Sequence, residues 1–329
     1  MKKTYLVRCT AFLCILALFL GALSLVFYPK IRDWTHGLPN ARIWMFQSEP
    51  RDSLDILAIG DSLLMCGYSP LNLWQETGYT GFNDCTGNQA LTLSLRMLEA
   101  FCRSQSPKVV LLEADALYQP IDSDRILEDR ILPKLPVLEY HDNWKLFSPK
   151  DFLRLPAYTA SHPCKGTHFL YNQDREVREN ACSYMEDRGE TAPIDKNVLI
   201  YFHRIARLCE RENIRLVLVS VPSPSLWSLA RHQAVRDLAD RYGLTYLDMN
   251  TMPEEVPIDW TTDKSTEGDH LNYLGTRKVT HYLGTWLQST GLLTDRRGSE
   301  LAPQWDALAA DLEKNSREAL TALAQEEAS

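Results

Sequence analysis

The chain has 329 residues, of which 45% are hydrophobic and 24% charged, and a formal net charge of −8. That length holds one large α/β domain with additions, and that composition excludes a wholly disordered chain. The negative balance and the lack of any long lysine or arginine run argue against a nucleic-acid partner, and no Walker loop or dinucleotide fingerprint occurs.

In chain order, Met1, Lys2, Lys3 and Arg8 precede an uncharged run from Cys9 to Tyr28. That is about the twenty residues a helix needs to cross the hydrocarbon core. Gly21-Ala22-Leu23-Ser24 is the nearest approach to a small-x-small cleavage site and a poor one, so residues 1–30 read as an uncleaved signal anchor, a transmembrane helix. Lys30, Arg32 and Arg42 follow the span, but the amino-terminal lysines favour a cytoplasmic N-terminus and an extracytoplasmic domain. Residues 31–50 form a juxtamembrane linker, with Trp34 and Trp44 suited to an interface or to packing.

The run Leu54–Ile59 is short, apolar and stopped by Gly60, which predicts a buried parallel strand delivering Gly60-Asp61-Ser62-Leu63 to the end of a sheet. A helix is expected over Leu91–Cys102 and a second buried strand at Val109–Leu112. From about 118 to 191 the pattern breaks into an insertion rich in proline, charge and aromatic residues. It builds the rim of a site or, equally, covers a sheet edge or packs on a partner. The core resumes with a helix at Asp195–Glu212, a strand at Ile214–Val221, a helix through Tyr242, a strand at Leu244–Leu247 and a helix at Asn272–Leu287. Asp248 and Asn250 should share the strand end with Ser62 and bear on the His270 loop. Proline-flanked Ser223 and Ser225 read as turn residues. The alternation predicts an α/β fold: three layers, α/β/α, around a central parallel sheet. That domain spans 51–292, and 293–329 is an amphipathic helical extension with Trp305, Leu308 and Leu312 on one face.

Cys164 and Cys182 could pair in an oxidising compartment, although spacing alone does not settle pairing. His162, Cys164 and His168 make a loose cluster without a fourth ligand, so neither a metal nor another cofactor is expected.

The chemistry lies in two segments far apart in the chain, Gly60-Asp61-Ser62 and Glu267-Gly268-Asp269-His270-Leu271-Asn272. Gly-Asp-Ser alone is a common turn, and a lone histidine is usually structural or solvated. Together, at opposite ends of one α/β pattern, they suggest a serine nucleophile, Ser62, and its base, His270. Glu267, three residues earlier, can reach the other ring nitrogen; Asp269 ranks second because neighbouring side chains point apart.

These residues resemble the SGNH (GDSL) hydrolase family, whose fold is a flavodoxin-like three-layer sandwich. The likeness covers most of the chain after residue 50 and is greatest for the membrane-anchored branch that includes teichoic-acid D-alanylation and polysaccharide O-acetylation proteins. The resemblance implies an oxyanion hole from the Ser62 and Gly87 backbone N–H groups, with the Asn88 or Gln89 side chain as a third donor. Two departures stand out: the family's aspartate is Glu267 here, and its Gly-x-Asn-Asp block is replaced by Glu113-Ala114-Asp115-Ala116. The resemblance implies an esterase or O-acyltransferase acting on acyl esters of cell-envelope glycans, beside a membrane-bound O-acyltransferase partner. The departures keep open a catalytically silent module that binds glycan or that partner.

Overall fold

The computed structural model describes residues 2–27, 31–32, 41–140, 157–158 and 161–327. Lys30, Trp34 and the middle of the insertion at 141–156 lie outside these. Helix α1, Lys2–Phe27, carries the apolar run; Thr4–Phe27 has a mean hydropathy of 2.5 and none of it is buried by the rest of the chain. It is long and apolar enough to cross a membrane, a description that an anchor and a signal sequence both meet.

Five strands form one sheet: β1 Ile56–Ile59, β2 Gly81–Asn83, β3 Val109–Glu113, β4 Arg215–Ser220 and β5 Thr245–Asp248. They run parallel in the order β2-β1-β3-β4-β5. Strand alternation then assigns the core. Leu57, Ile59, Val110, Leu112, Leu216 and Leu218 point to one face. There they meet α4 (Leu91–Phe101), α5 (Lys196–Arg211) and α6 (Leu229–Tyr242). Ile56, Ala58, Val109, Leu111, Val217 and Val219 point to the other, against α2 (Ser62–Gly67) and α7 (Tyr273–Thr290). This is the three-layer α/β/α arrangement with a parallel sheet that the sequence predicts. Its strand order reverses beside β1, which opens a crevice at the carboxyl ends of β1 and β3.

The expected strands and helices of the domain lie within about three residues of their observed bounds. Among those not foreseen are the edge strand β2, only three residues long, and the helices α2 and α3 (Pro70–Thr77). The disulfide weighed for Cys164 and Cys182 is not formed; both are free thiols, and burial pushes the Cys164 thiol up to about 11. His162 closes a turn, its Nδ1 accepting from the N–H groups of Cys164 (3.2 Å) and Gly166 (3.1 Å).

The C-terminal extension is one helix, α8 (Ala302–Glu327), whose stripe Ala302, Trp305, Ala309 and Leu312 is buried on the domain. Trp305 is fully buried, 5.3 Å from the Trp74 ring, and covers the Lys165 ammonium at 4.6 Å, which itself pairs with Glu49 at 2.7 Å. Truncating Trp305 to alanine removes a large apolar surface and the lid over a buried charge pair. Trp305→Ala is therefore expected to cost about 3–5 kcal/mol of unfolding free energy, read from urea denaturation of the detergent-solubilised chain.

Candidate active site

The turn after β1 is set by Gly60. Its φ of +138° is open to glycine, and a Cβ there would lie 2.5 Å from Glu113 Cβ and 3.0 Å from Glu113 N. Asp61 follows as the N-cap of α2, its Oδ1 accepting from Leu63 N–H at 3.1 Å, and Ser62 is the first helical residue. A six-residue helix has little stability of its own. This one is held at its far end: Asn83 Nδ2 donates to Leu64 O (3.0 Å) and Tyr68 O (2.8 Å), Thr276 Oγ1 to Cys66 O (2.5 Å), and His168 N–H to Met65 O (3.1 Å). Three separate segments thus fix the orientation of Ser62.

The second segment is equally constrained. Lys264 and Leu271 form an antiparallel bridge, and Ser265 N–H donates to His270 O at 2.8 Å. Asn272 caps α7, accepting from Leu274 N–H at 3.0 Å, while its Nδ2 donates to Thr262 O at 2.8 Å. The result is direct contact across 208 positions of sequence: Ser62 Oγ lies 2.8 Å from His270 Nε2, and both residues are half-buried.

The group on the other ring nitrogen is neither of the two carboxylates considered from the sequence. His270 Nδ1 contacts the backbone carbonyl of Glu267, whose side chain is exposed. Gly268, at φ +72°, turns the chain so that this carbonyl faces the imidazole. A carbonyl oxygen only accepts, so Nδ1 carries the proton in the neutral ring and Nε2 presents its lone pair to Ser62.

Asp269 is buried and turned the opposite way, accepting from Arg178 Nε at 2.7 Å, from Ser223 Oγ at 3.4 Å and from the N–H of Ser225. Its role in this geometry is to tie the histidine loop to the turn after β4 and to the described part of the insertion. Asp248 and Asn250 reach the loop through the same turn. Asp248 Oδ1 accepts from Asn250 Nδ2 at 2.7 Å, Asn250 Oδ1 accepts from Ser223 N–H at 3.0 Å, and Ser223 leads to Asp269. Arg178 had no signal in the sequence, because it lies 91 positions from its partner.

Gly87 and Asn88 sit in an exposed turn, with Asn88 at φ +50°. Thr86 N–H donates to Gly60 O at 3.2 Å and so holds this turn against the one that carries Ser62. Gln89 is directed elsewhere: it is buried and its Nε2 donates to Ser94 Oγ at 2.9 Å, on α4.

No protein-family model matches the sequence, and no curated protein matches it. Among solved structures, similarity is found to a GDSL-like lipase of Bacteroides thetaiotaomicron VPI-5482 at 10% identity, covering 71% of this chain and 88% of that one, with a TM-score of 0.35. An esterase, EstA, of a Pseudoalteromonas species is similar at 10% identity, covering 71% and 97%, with a TM-score of 0.37. A lipase/acylhydrolase of Enterococcus faecalis is similar at 7% identity, covering 72% and 97%, with a TM-score of 0.36.

A methyl group at Gly60 would meet both strain and overlap. Gly60→Ala is expected to lower unfolding free energy by about 1–3 kcal/mol from the backbone alone, with overlap against Glu113 adding to it, as measured by urea denaturation.

Proposed function

We propose that the chain is a serine esterase or O-acyltransferase of the SGNH/GDSL type, anchored by α1 with its α/β domain outside the cytoplasm, acting on acyl esters of cell-envelope glycans. The observation that carries the proposal is the 2.8 Å contact of Ser62 Oγ with His270 Nε2, in the tautomer that accepts the hydroxyl proton. Ser62 Oγ attacks the ester carbonyl carbon as its proton passes to Nε2. The tetrahedral oxyanion is met by the N–H groups of Ser62 and Gly87, with the Asn88 side chain beside them. Ser62 opens α2, so its N–H has no intrahelical acceptor and is available to an anion.

Collapse of the intermediate breaks the ester C–O bond, and His270 returns the proton to the leaving oxygen. An acylated Ser62 remains. Water or a sugar hydroxyl then gives its proton to His270 and takes the acyl group, so hydrolysis and transfer use the same parts and differ only in the acceptor. No metal or organic cofactor enters this scheme. The glycan substrate and a membrane-bound O-acyltransferase partner follow from the sequence resemblance to the anchored branch, which is an analogy of family.

One observation favours a second reading, a silent module that binds glycan or an acyltransferase. The imidazole is oriented by a neutral carbonyl and not by a carboxylate, so the imidazolium formed during turnover receives less electrostatic support.

Acetyl-ester turnover by the full-length chain in detergent separates the two. The enzyme reading expects turnover that vanishes in Ser62→Ala and labelling of Ser62 by a fluorophosphonate; equal rates in parent and variant would leave only the binding module. Because the contact comes from the backbone, Glu267→Ala is expected to keep kcat/KM within about threefold of the parent. Asp269→Asn, which weakens the tie to Arg178 and Ser225, is expected to lower it by about tenfold or more.

A further inference from the structure

Beside the turn that carries Ser62 lie three acidic side chains from two adjacent strand ends. Asp61 and Glu113 are buried, as is Asp115 one turn further on. Two have fixed partners. Asp61 Oδ1 caps α2 through Leu63 N–H at 3.1 Å, and Asp115 pairs with Arg231, whose guanidinium also lies over the Tyr118 ring at 4.2 Å. Gln119 Nε2 bridges Asp61 Oδ2 (3.4 Å) and Asp115 Oδ2 (3.3 Å). Glu113 is different. Its Oε2 accepts from Asp115 N–H at 2.7 Å, but its Oε1 is fully buried and no N–H or O–H donor is directed at it. Asp61 and Asp115 are the acidic groups that bear on its carboxyl.

Neighbouring buried carboxyl groups do not all ionise together; one must hold a proton for a pair of them to bond. We propose that Glu113 is a protonated positioning residue: its carboxyl O–H donates to the Asp61 carboxylate and holds that carboxylate on the first turn of α2, so that Ser62 Oγ stays aimed at His270. This inference rests on the reading of Ser62 as nucleophile. It assigns a role to the segment that replaces the family's Gly-x-Asn-Asp block, where Glu113 packs directly against Gly60.

The groups facing this carboxyl agree on the direction. Burial raises Glu113 well above the ordinary carboxyl range, followed by the charges of Asp61 and Asp115, with the Asp115 N–H opposing. Asp115 is raised to about 8, by burial first and then by its contact with Asp61, against the lowering effect of Arg231 and Gln119. Across the sheet, Tyr246 also faces Glu113, and burial keeps its hydroxyl neutral. Arg231 is the cation of the cluster, and it is committed to Asp115.

The sign of the linkage follows. The folded state holds protons that an unfolded chain releases near pH 4, so their contribution to stability is complete below about pH 4 and is lost progressively as pH rises toward about 8 and beyond. Glutamine at position 113 supplies a permanent N–H donor in place of the titratable O–H.

The test compares parent, Glu113→Gln and Glu113→Ala as full-length proteins in detergent, with p-nitrophenyl acetate as substrate and the Ser62→Ala rate subtracted. Near pH 6, Glu113→Gln is expected to stay within about threefold of the parent in kcat, and Glu113→Ala to fall by about tenfold or more with KM little changed. As pH rises through the alkaline range the parent is expected to lose activity on a limb that Glu113→Gln lacks. Equal losses in the glutamine and alanine variants, or a shared alkaline limb in parent and Glu113→Gln, would overturn the assignment. Melting temperature against pH reads the proton without reference to catalysis: the parent should lose stability between about pH 5 and 8 more steeply than Glu113→Gln, and parallel curves would remove the proton. A parent with no Ser62-dependent turnover would instead sink the esterase reading, and the melting curves would still decide whether Glu113 is protonated.

Discussion

The contact between the Glu267 carbonyl and His270 Nδ1 governs what the site can do, because a carbonyl oxygen cannot donate. It leaves one neutral tautomer, with Nε2 unprotonated and 2.8 Å from Ser62 Oγ. An aspartate in that place would fix the same tautomer and add a negative charge to favour the imidazolium. Here the orienting function is separated from the charge, which resides in Asp269 and is spent on holding the loop. A dyad aligned by backbone geometry is only as good as the loop that aligns it. The described structure invests accordingly, with the bridge at Lys264 and Leu271, the cap at Asn272 and the tie from Asp269 to Ser225.

Ser62 depends on a comparable set of restraints. Helix α2 is too short to hold itself, so its Leu63 N–H is met by the Asp61 side chain and its carbonyls by Asn83, Thr276 and His168. Asn83 belongs to the edge strand β2, which gives that three-residue element a purpose beyond extending the sheet. The parallel order brings β1 and β3 side by side, and so sets Gly60 against Glu113 and Asp61 beside Asp115. The turn that carries Ser62 and the acid cluster are therefore one packing unit.

A second network runs along the other half of the sheet end. Asp248 accepts from His232 Nδ1 at 2.6 Å, Trp227 Nε1 at 2.9 Å and Tyr246 Oη at 2.9 Å, and holds Asn250 with its remaining oxygen. A buried carboxylate with this many donors is well compensated. From Asn250 the chain of contacts passes through Ser223 to Asp269, which ties the histidine loop to the strand ends.

Much of this was legible in the amino-acid order. Apolar runs of four to six residues between helical periodicities specify a parallel α/β sheet, since only strands buried on both faces tolerate such runs. Gly60-Asp61-Ser62 after the first of them, and His270 before the α7 periodicity, mark where polar chemistry interrupts a core. Short elements such as β2 and α2 carry no such signal, because three to six residues show no reliable period. Which group orients His270 was likewise not legible: spacing places Glu267 and Asp269 within reach, but the left-handed turn at Gly268 and the burial of Asp269 against Arg178 select a main-chain carbonyl that every residue possesses. Glu113 and Asp115 read only as a departure from a motif. Their meaning comes from lying one strand spacing from the Gly60-Asp61 turn. Local pattern determined where the chain is buried and where it turns, because burial and turn chemistry are properties of a few adjacent residues. Only the tertiary structure decided which polar atoms face one another, because those contacts join segments as far as 208 positions apart and depend on directions that spacing does not encode.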